Sequence, residues 1–280
     1  MNYTKAAKVL SGILFVFIVS SCTQNTVLTI DRSHEENYYL SQTDTARGAV
    51  LINITVELPV CFKDQAVVDS IRTSLVTFMF GKEYVKMDVD TVVRSFVADI
   101  KHEYKINNEP LLKLMDAKNR YRLDNEQVLE GFSLLSDENI FSYGVNRYVF
   151  MGGAHGLNTR NYFNFNLKNG KRITEADLYK PGFENALSEL IKVRMIEERK
   201  ENPELEPIER LEDSDYWVEA IKPNGNFYIT DQSINYVFNP YEIGPYYMGQ
   251  TEVTLPFARL SQILKPNGLI EYLVHPKAEN

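Results

Sequence analysis

Tyr148-Val149-Phe150-Met151-Gly152-Gly153-Ala154-His155-Gly156 is followed closely by Tyr162-Phe163-Asn164-Phe165-Asn166-Leu167. Aromatic and β-branched residues recurring with a two-residue period mark strands. Three glycines between two such runs mark a tight connection, because glycine adopts positive φ and lets backbone approach closely. The stretch therefore predicts two antiparallel strands joined by a glycine-rich turn around one histidine.

Working outward, Lys168-Asn169-Gly170-Lys171 carries the Asn-Gly signal of a hairpin, with Arg172-Ile173-Thr174 as the return. Upstream, 50–57, 121–123, 127–135 and 140–150 read as strands, with Pro59 near the end of the first, where its missing N–H costs least. Segment 64–80 has helical spacing in Val67, Val68, Ile71, Leu75, Phe78 and Met79, with Asp64 as N-cap and Gly81 as stop. Segment 89–104 repeats the pattern before Pro110 interrupts. Downstream, 184–200 turns Leu187, Leu190, Ile191 and Met195 inward and its charges outward. Short helical pieces fall at 175–179 and 260–264, and strands at 226–230, 233–238 and 251–255. No steady strand–helix–strand alternation appears. The expected class is α+β, with largely antiparallel sheets packed with a few amphipathic helices in a two-part module, 47–139 and 140–280.

The 280 residues suffice for a well-buried core, and 44% hydrophobic against 24% charged residues argues for a globular chain. Aromatic content is high, with 17 Tyr and 15 Phe, which suits β-sheet packing. Residues 1–21 read as a signal segment: Lys5 and Lys8 start it, and the apolar run 9–19 is too short to span a membrane. It ends Val19-Ser20-Ser21-Cys22, which resembles a bacterial lipobox. In such signals the cysteine is acylated and becomes the first residue of the mature protein, and several acyl chains anchor stably. Residues 22–46 then read as a polar tether with a short edge strand at 27–30. With Cys22 acylated, Cys61 is expected to be a small buried hydrophobe. Thr23 follows the lipobox cysteine where an Asp would signal inner-membrane retention. The expected location is the cell envelope, on the outer membrane facing the periplasm in a two-membrane host.

Removing residues 1–21 takes away Lys5 and Lys8 and no acid, leaving 28 basic against 38 acidic residues, a net charge near −10. Nucleic acid needs a basic footprint, so it is not expected as a partner; a cationic protein is compatible. The acid-rich stretch 202–215 reads as a solvated loop rather than a metal site, since it lacks the ordered oxygen ligands and sharp glycine turn of a calcium loop.

The second half resembles the domain-of-unknown-function family 3298. The likeness rests on 148–156, on Asn164-Phe165-Asn166-Leu167 with Asn169-Gly170-Lys171, on Asn226-Phe227-Tyr228-Ile229-Thr230, and on Phe238-Asn239-Pro240-Tyr241-Glu242-Ile243-Gly244-Pro245-Tyr246. The first half is similar, more weakly, to family 4163. The resemblance implies an envelope module like the extracellular part of a lysozyme-sensing anti-sigma factor and the non-catalytic part of certain peptidoglycan deacetylases. The deacetylase's metal-binding histidine pair has no counterpart, because His34, His102, His155 and His275 are dispersed.

The resulting expectation is a lipid-anchored, non-enzymatic module that binds an envelope glycan, peptidoglycan or a cationic protein such as lysozyme, with no cofactor and no metal. Gly152, Gly153 and Gly156 are assigned to the turn itself, and His155 to a structural role tying it to the sheet. A ligand surface, if built here, would use His155, Tyr241, Tyr246 and Tyr247, with Trp217 as an alternative anchor. Two rivals remain open: a hydrolase using His155 with Glu242 or Asp177, and an assembly partner of other envelope proteins.

Overall fold

The computed structural model describes residues 25–41, 48–204 and 206–276. The signal segment and Cys22 lie outside the described residues. The described chain is α+β with mostly antiparallel sheets. A six-stranded sheet runs in chain order: β1 (Leu28–Tyr39), β2 (Ala49–Cys61), β3 (Asn125–Ser136), β4 (Ile140–Phe150), β5 (Leu157–Asn166) and β6 (Lys171–Arg172). Its strands come from both sides of residue 140. Only β2 and β3 pair in parallel, because two helices, α1 (Gln65–Met79) and α2 (Val89–Leu112), cross between them.

Strand β2 buries Val50, Ile52, Ile54, Val56 and Leu58 on one face, and these join Val68, Ile71 and Leu75 of α1 in the first core. Asp64 caps α1 by accepting from Ala66 N at 3.0 Å, and Gly81 ends the segment at φ 123°. The helix predicted at 89–104 continues through Pro110 to Leu112. Pro110 sits in the last turn, where the hydrogen bond it removes is one of the final few. The strand predicted at 121–123 is instead part of a 3₁₀ turn, Ala117–Leu123.

The largest departure is β1. Twelve residues form a strand where a tether with a four-residue strand was expected. The middle of its inward face, Arg32, His34 and Glu36, is polar, with Ile30 and Tyr38 packed on the first core at either end, so the apolar alternation is broken. The charges are met by α2: Arg32 pairs with Asp90, and Glu36 with Lys101 at 3.0 Å, while the Tyr38 ring meets Tyr104 edge-on. Cys61, at the end of β2, is half-buried rather than buried, and no free cysteine stands among the described residues.

The second layer holds β7 (Phe227–Ile229), β8 (Ser233–Phe238) and β9 (Thr251–Pro256), with α4 (Glu184–Glu201) packed on β9. Before it, α3 (Glu175–Leu178) is closed by a capping box between Thr174 and Asp177, and α5 (Phe257–Leu260) lies slightly earlier than the predicted 260–264. Every residue of β8 is buried, and β7 beside it lies against β5 and β4 of the first sheet. Leu187, Ile191 and Met195 of α4 form a second core with Ile234, Val253 and Leu255.

Candidate functional site

Strand β5 pairs with β4 on one side, but on the other only its last two residues pair with β6. Asparagine side chains stand in for the missing strand. Asn239 accepts from Arg160 N at 2.7 Å and donates to Arg160 O at 3.0 Å. Asn226 accepts from Tyr162 N at 2.9 Å and donates to Arg160 O and Val237 O, both at 2.9 Å. These amides satisfy backbone groups that burial would otherwise leave unpaired. They also clamp the loop 239–250 onto β5, beside the glycine-rich turn.

Within that loop, Glu242 N donates to Asn239 O at 3.0 Å, closing a four-residue turn with Pro240 first and Tyr241 second. Tyr241 has φ 71°, where Gly or Asn is the usual occupant of a turn with proline ahead of it. A tyrosine held in the left-handed region, with 53% of its surface exposed, is strain at a loop tip. Its ring lies 5.7 Å from that of Tyr246, which stacks on His155 at 3.8 Å with an interplanar angle of 20°. The Tyr246 hydroxyl donates to Gly156 O at 2.6 Å, and His155 Nδ1 lies 3.1 Å from the same carbonyl. Three of the four expected ligand-surface residues thus form one stack. His155 is exposed within it, not buried as a structural tie would require.

The glycines divide their work. Gly152 and Gly153 have φ of 82° and 103°; Gly156 is needed because a Cβ there would lie 2.5 Å from the Tyr148 ring. A Cβ at Gly152 would also lie 3.0 Å from the Arg122 carbonyl, which cannot swing away. Gly152→Ala is expected to lower stability by about 2 kcal/mol through the left-handed φ alone, checked by urea denaturation. His155→Ala, which removes an exposed stacked ring, is expected to cost no more than about 1 kcal/mol and to leave the circular dichroism spectrum unchanged.

Tyr247 points the other way. Its hydroxyl donates to Asp215, which holds the phenol above its ordinary pKa. It borders a cleft of about 830 Å³ whose charged lining is Glu198, Glu212, Asp213, Asp215 and Glu252 against Arg199. Arg199 is turned to the Glu206 carbonyl, at 2.7 Å. Burial holds the Glu198 carboxyl above the usual carboxylate range, partly offset by the Thr254 N–H and by Arg194. Tyr216, Tyr247 and Met248 form apolar wall. The stretch expected to be a mere solvated loop therefore supplies three of the cleft's five acids. The cleft's remaining acids, Glu198 and Glu252, come from α4 and β9, and nothing in their local sequence marks them. Trp217, 47% exposed, ties its N–H to Ile243 O at 2.8 Å behind the loop and is not part of the cleft lining.

The carboxylates named for a hydrolase are held elsewhere. Glu242 accepts from Asn224 at 2.9 Å and Asn239 at 3.4 Å, and Asp177 closes the cap of α3. Among the described residues no group of three or more His, Cys, Asp or Glu side chains could hold a metal ion.

This fold belongs to a recognisable class. Residues 176–258 match the family described as a protein of unknown function, DUF3298, and the chain carries a domain of that family there. The matched residues begin after the glycine-rich turn. Among particular proteins, the chain is 27% identical over 192 residues to the anti-sigma-V factor RsiV of Bacillus subtilis, covering 65% of this chain and 67% of that one. Its structure is similar to that of a DUF3298 family member from Bacteroides fragilis, with a TM-score of 0.77, 26% identity, and coverage of 89% of this chain and 99% of the other. A DUF3298 family protein from Pseudomonas aeruginosa shares the fold, with a TM-score of 0.55, 17% identity, and coverage of 86% and 95%.

Proposed function

We propose that the protein is a lipid-anchored envelope module that senses or binds a cationic protein such as a lysozyme. The acidic cleft is the observation that carries this reading: five carboxylates line it beside Arg199, three of them (Glu198, Asp213 and Glu252) also paired with Arg194, Arg210 and Arg160, and it is walled by tyrosines next to a strained aromatic loop. Charge complementarity of this kind speeds encounter and selects partners by sign. The similarity to an anti-sigma factor supports a sensing role. The lipobox-like Val19-Ser20-Ser21-Cys22 supports attachment through Cys22, with the outer membrane facing the periplasm as the favoured site.

Titrating hen egg-white lysozyme against the protein by calorimetry tests the reading. Binding is expected at low ionic strength and should weaken steeply as salt screens the cleft. No heat and no complex at low salt would refute the cationic-protein reading. The anchor is tested separately by non-reducing mass spectrometry of protein made in a bacterial envelope. A thioether-linked lipid at Cys22 and an intrachain Cys22–Cys61 disulfide exclude one another, so the masses decide between them.

A further inference from the structure

The path of the chain away from Cys22 fixes which end of the fold meets the lipid. Asn25 Nδ2 donates to Glu138 Oε1 at 3.3 Å, and Val27 N donates to Ser136 Oγ at 3.2 Å, pinning residues 25–27 beside the β3–β4 connection. Three peptide units separate Cys22 from Asn25, a reach of at most about 11 Å. From there β1 runs the length of the sheet, about 40 Å for its twelve residues. The pairing registers put Cys61, the β3–β4 connection 137–139 and the β5–β6 connection 167–170 at the near end. They put the turn 151–156 at the far end, where Gln250 beside the acidic cleft donates to Asn158 O at 3.3 Å.

A second cleft of about 760 Å³ opens at the near end, lined by Asn139, Asn166, Lys168, Leu269, Glu271 and Tyr272. It offers one ammonium, one carboxylate, one imidazole and three amides, the third from Asn267, over an apolar floor. Tyr272 is fixed in the wall by its hydroxyl bond to Asp137, and His275 faces Glu271 at 3.8 Å. We infer that this end lies on the bilayer and that the cleft holds a zwitterionic phospholipid headgroup. Lys168 and the asparagine amides take the phosphate, Glu271 takes the headgroup ammonium, and Leu269 and Tyr272 meet the glycerol end. A chain of net charge near −10 once residues 1–21 are removed repels an anionic surface, whereas a zwitterion requires no positive field. The inference rests on the lipid anchor at Cys22 and leaves the acidic cleft facing away from the membrane, open to a diffusing partner.

Hydrogen exchange on the acylated full-length mature chain tests it, comparing phosphatidylethanolamine nanodiscs, uncharged glycolipid nanodiscs and maltoside micelles. Amides of 137–139, 167–170 and 265–276 are expected to exchange several-fold more slowly in phosphatidylethanolamine discs than in micelles, with 151–156 and 241–250 unchanged. Lys168→Glu, which leaves the backbone bond of residue 168 to Asn166 in place, is expected to remove most of that protection. Protection at 151–156 and 241–250 instead, or none at either end, overturns the orientation. Equal protection in glycolipid discs overturns the headgroup site. The mass of Cys22 in the same sample separates these failures from failure of the anchor itself.

Discussion

Asn164→Leu is expected to destabilise the protein by about 4 kcal/mol in urea denaturation, the largest single-residue loss among the substitutions considered, because it orphans several buried groups at once. Asn164 is 1% exposed. Its amide nitrogen donates to Phe227 O at 2.8 Å, and its oxygen accepts from Ile229 N at 3.0 Å and Ser142 Oγ at 2.7 Å. It is the joint between the two sheets: one residue of β5 makes the two backbone bonds that β7 offers toward it. Leucine has nearly the same volume, so packing survives while three polar groups lose their partner. Each such group costs about 1–3 kcal/mol to leave buried and unpaired. Asn158→Leu, on the exposed start of the same strand, is the control and is expected to change stability by less than about 0.5 kcal/mol. A loss below about 1 kcal/mol for Asn164→Leu would mean that apolar packing and the Asn226 and Asn239 bonds to β5 hold the sheets together without it.

Reversing two charges in the acidic cleft, Glu212→Lys with Asp213→Lys, is expected to weaken lysozyme binding about a hundredfold at low ionic strength, or about 2.7 kcal/mol. Asp213 is paired with Arg210 at 3.2 Å and Glu212 lines the cleft beside it, so replacing both carboxylates with ammonium groups turns attraction into repulsion. Most of the change should fall on the association rate, and it should shrink as ionic strength rises and the screening length falls to about 8 Å at physiological salt. Glu103→Lys, exposed on α2, makes one charge reversal away from the cleft and is expected to leave affinity within about threefold. If the cleft double variant binds as well as the parent, the partner docks elsewhere, with the His155–Tyr246–Tyr241 stack the next surface to test.

Much of the fold was legible in the residues. The glycine-rich turn, the strands on either side of it, the caps of α1 and the inward face of α4 all follow from period, capping chemistry and turn composition. These are local signals: each depends on residues within one or two turns of one another. The edge strand β1 escaped the same approach because the middle of its inward face is Arg32, His34 and Glu36; Arg32 and Glu36 find their partners on a helix more than fifty residues away, and His34 turns to Glu36.

The site shows the same division. His155, Tyr241, Tyr246 and Tyr247 could be singled out as unusual chemistry, but not sorted. Sequence by itself determined the α+β class, the negative balance and the family resemblance, since all of these reside in composition or short-range pattern. Only the tertiary structure decided that His155 stacks on Tyr246 while Tyr247 turns to Asp215, and that Glu198 and Glu252 converge with 212–215 into one cleft. Convergence depends on how α4 and β9 pack over a shared apolar core, and that packing selects positions by shape and burial, leaving no trace in the spacing of the acids themselves.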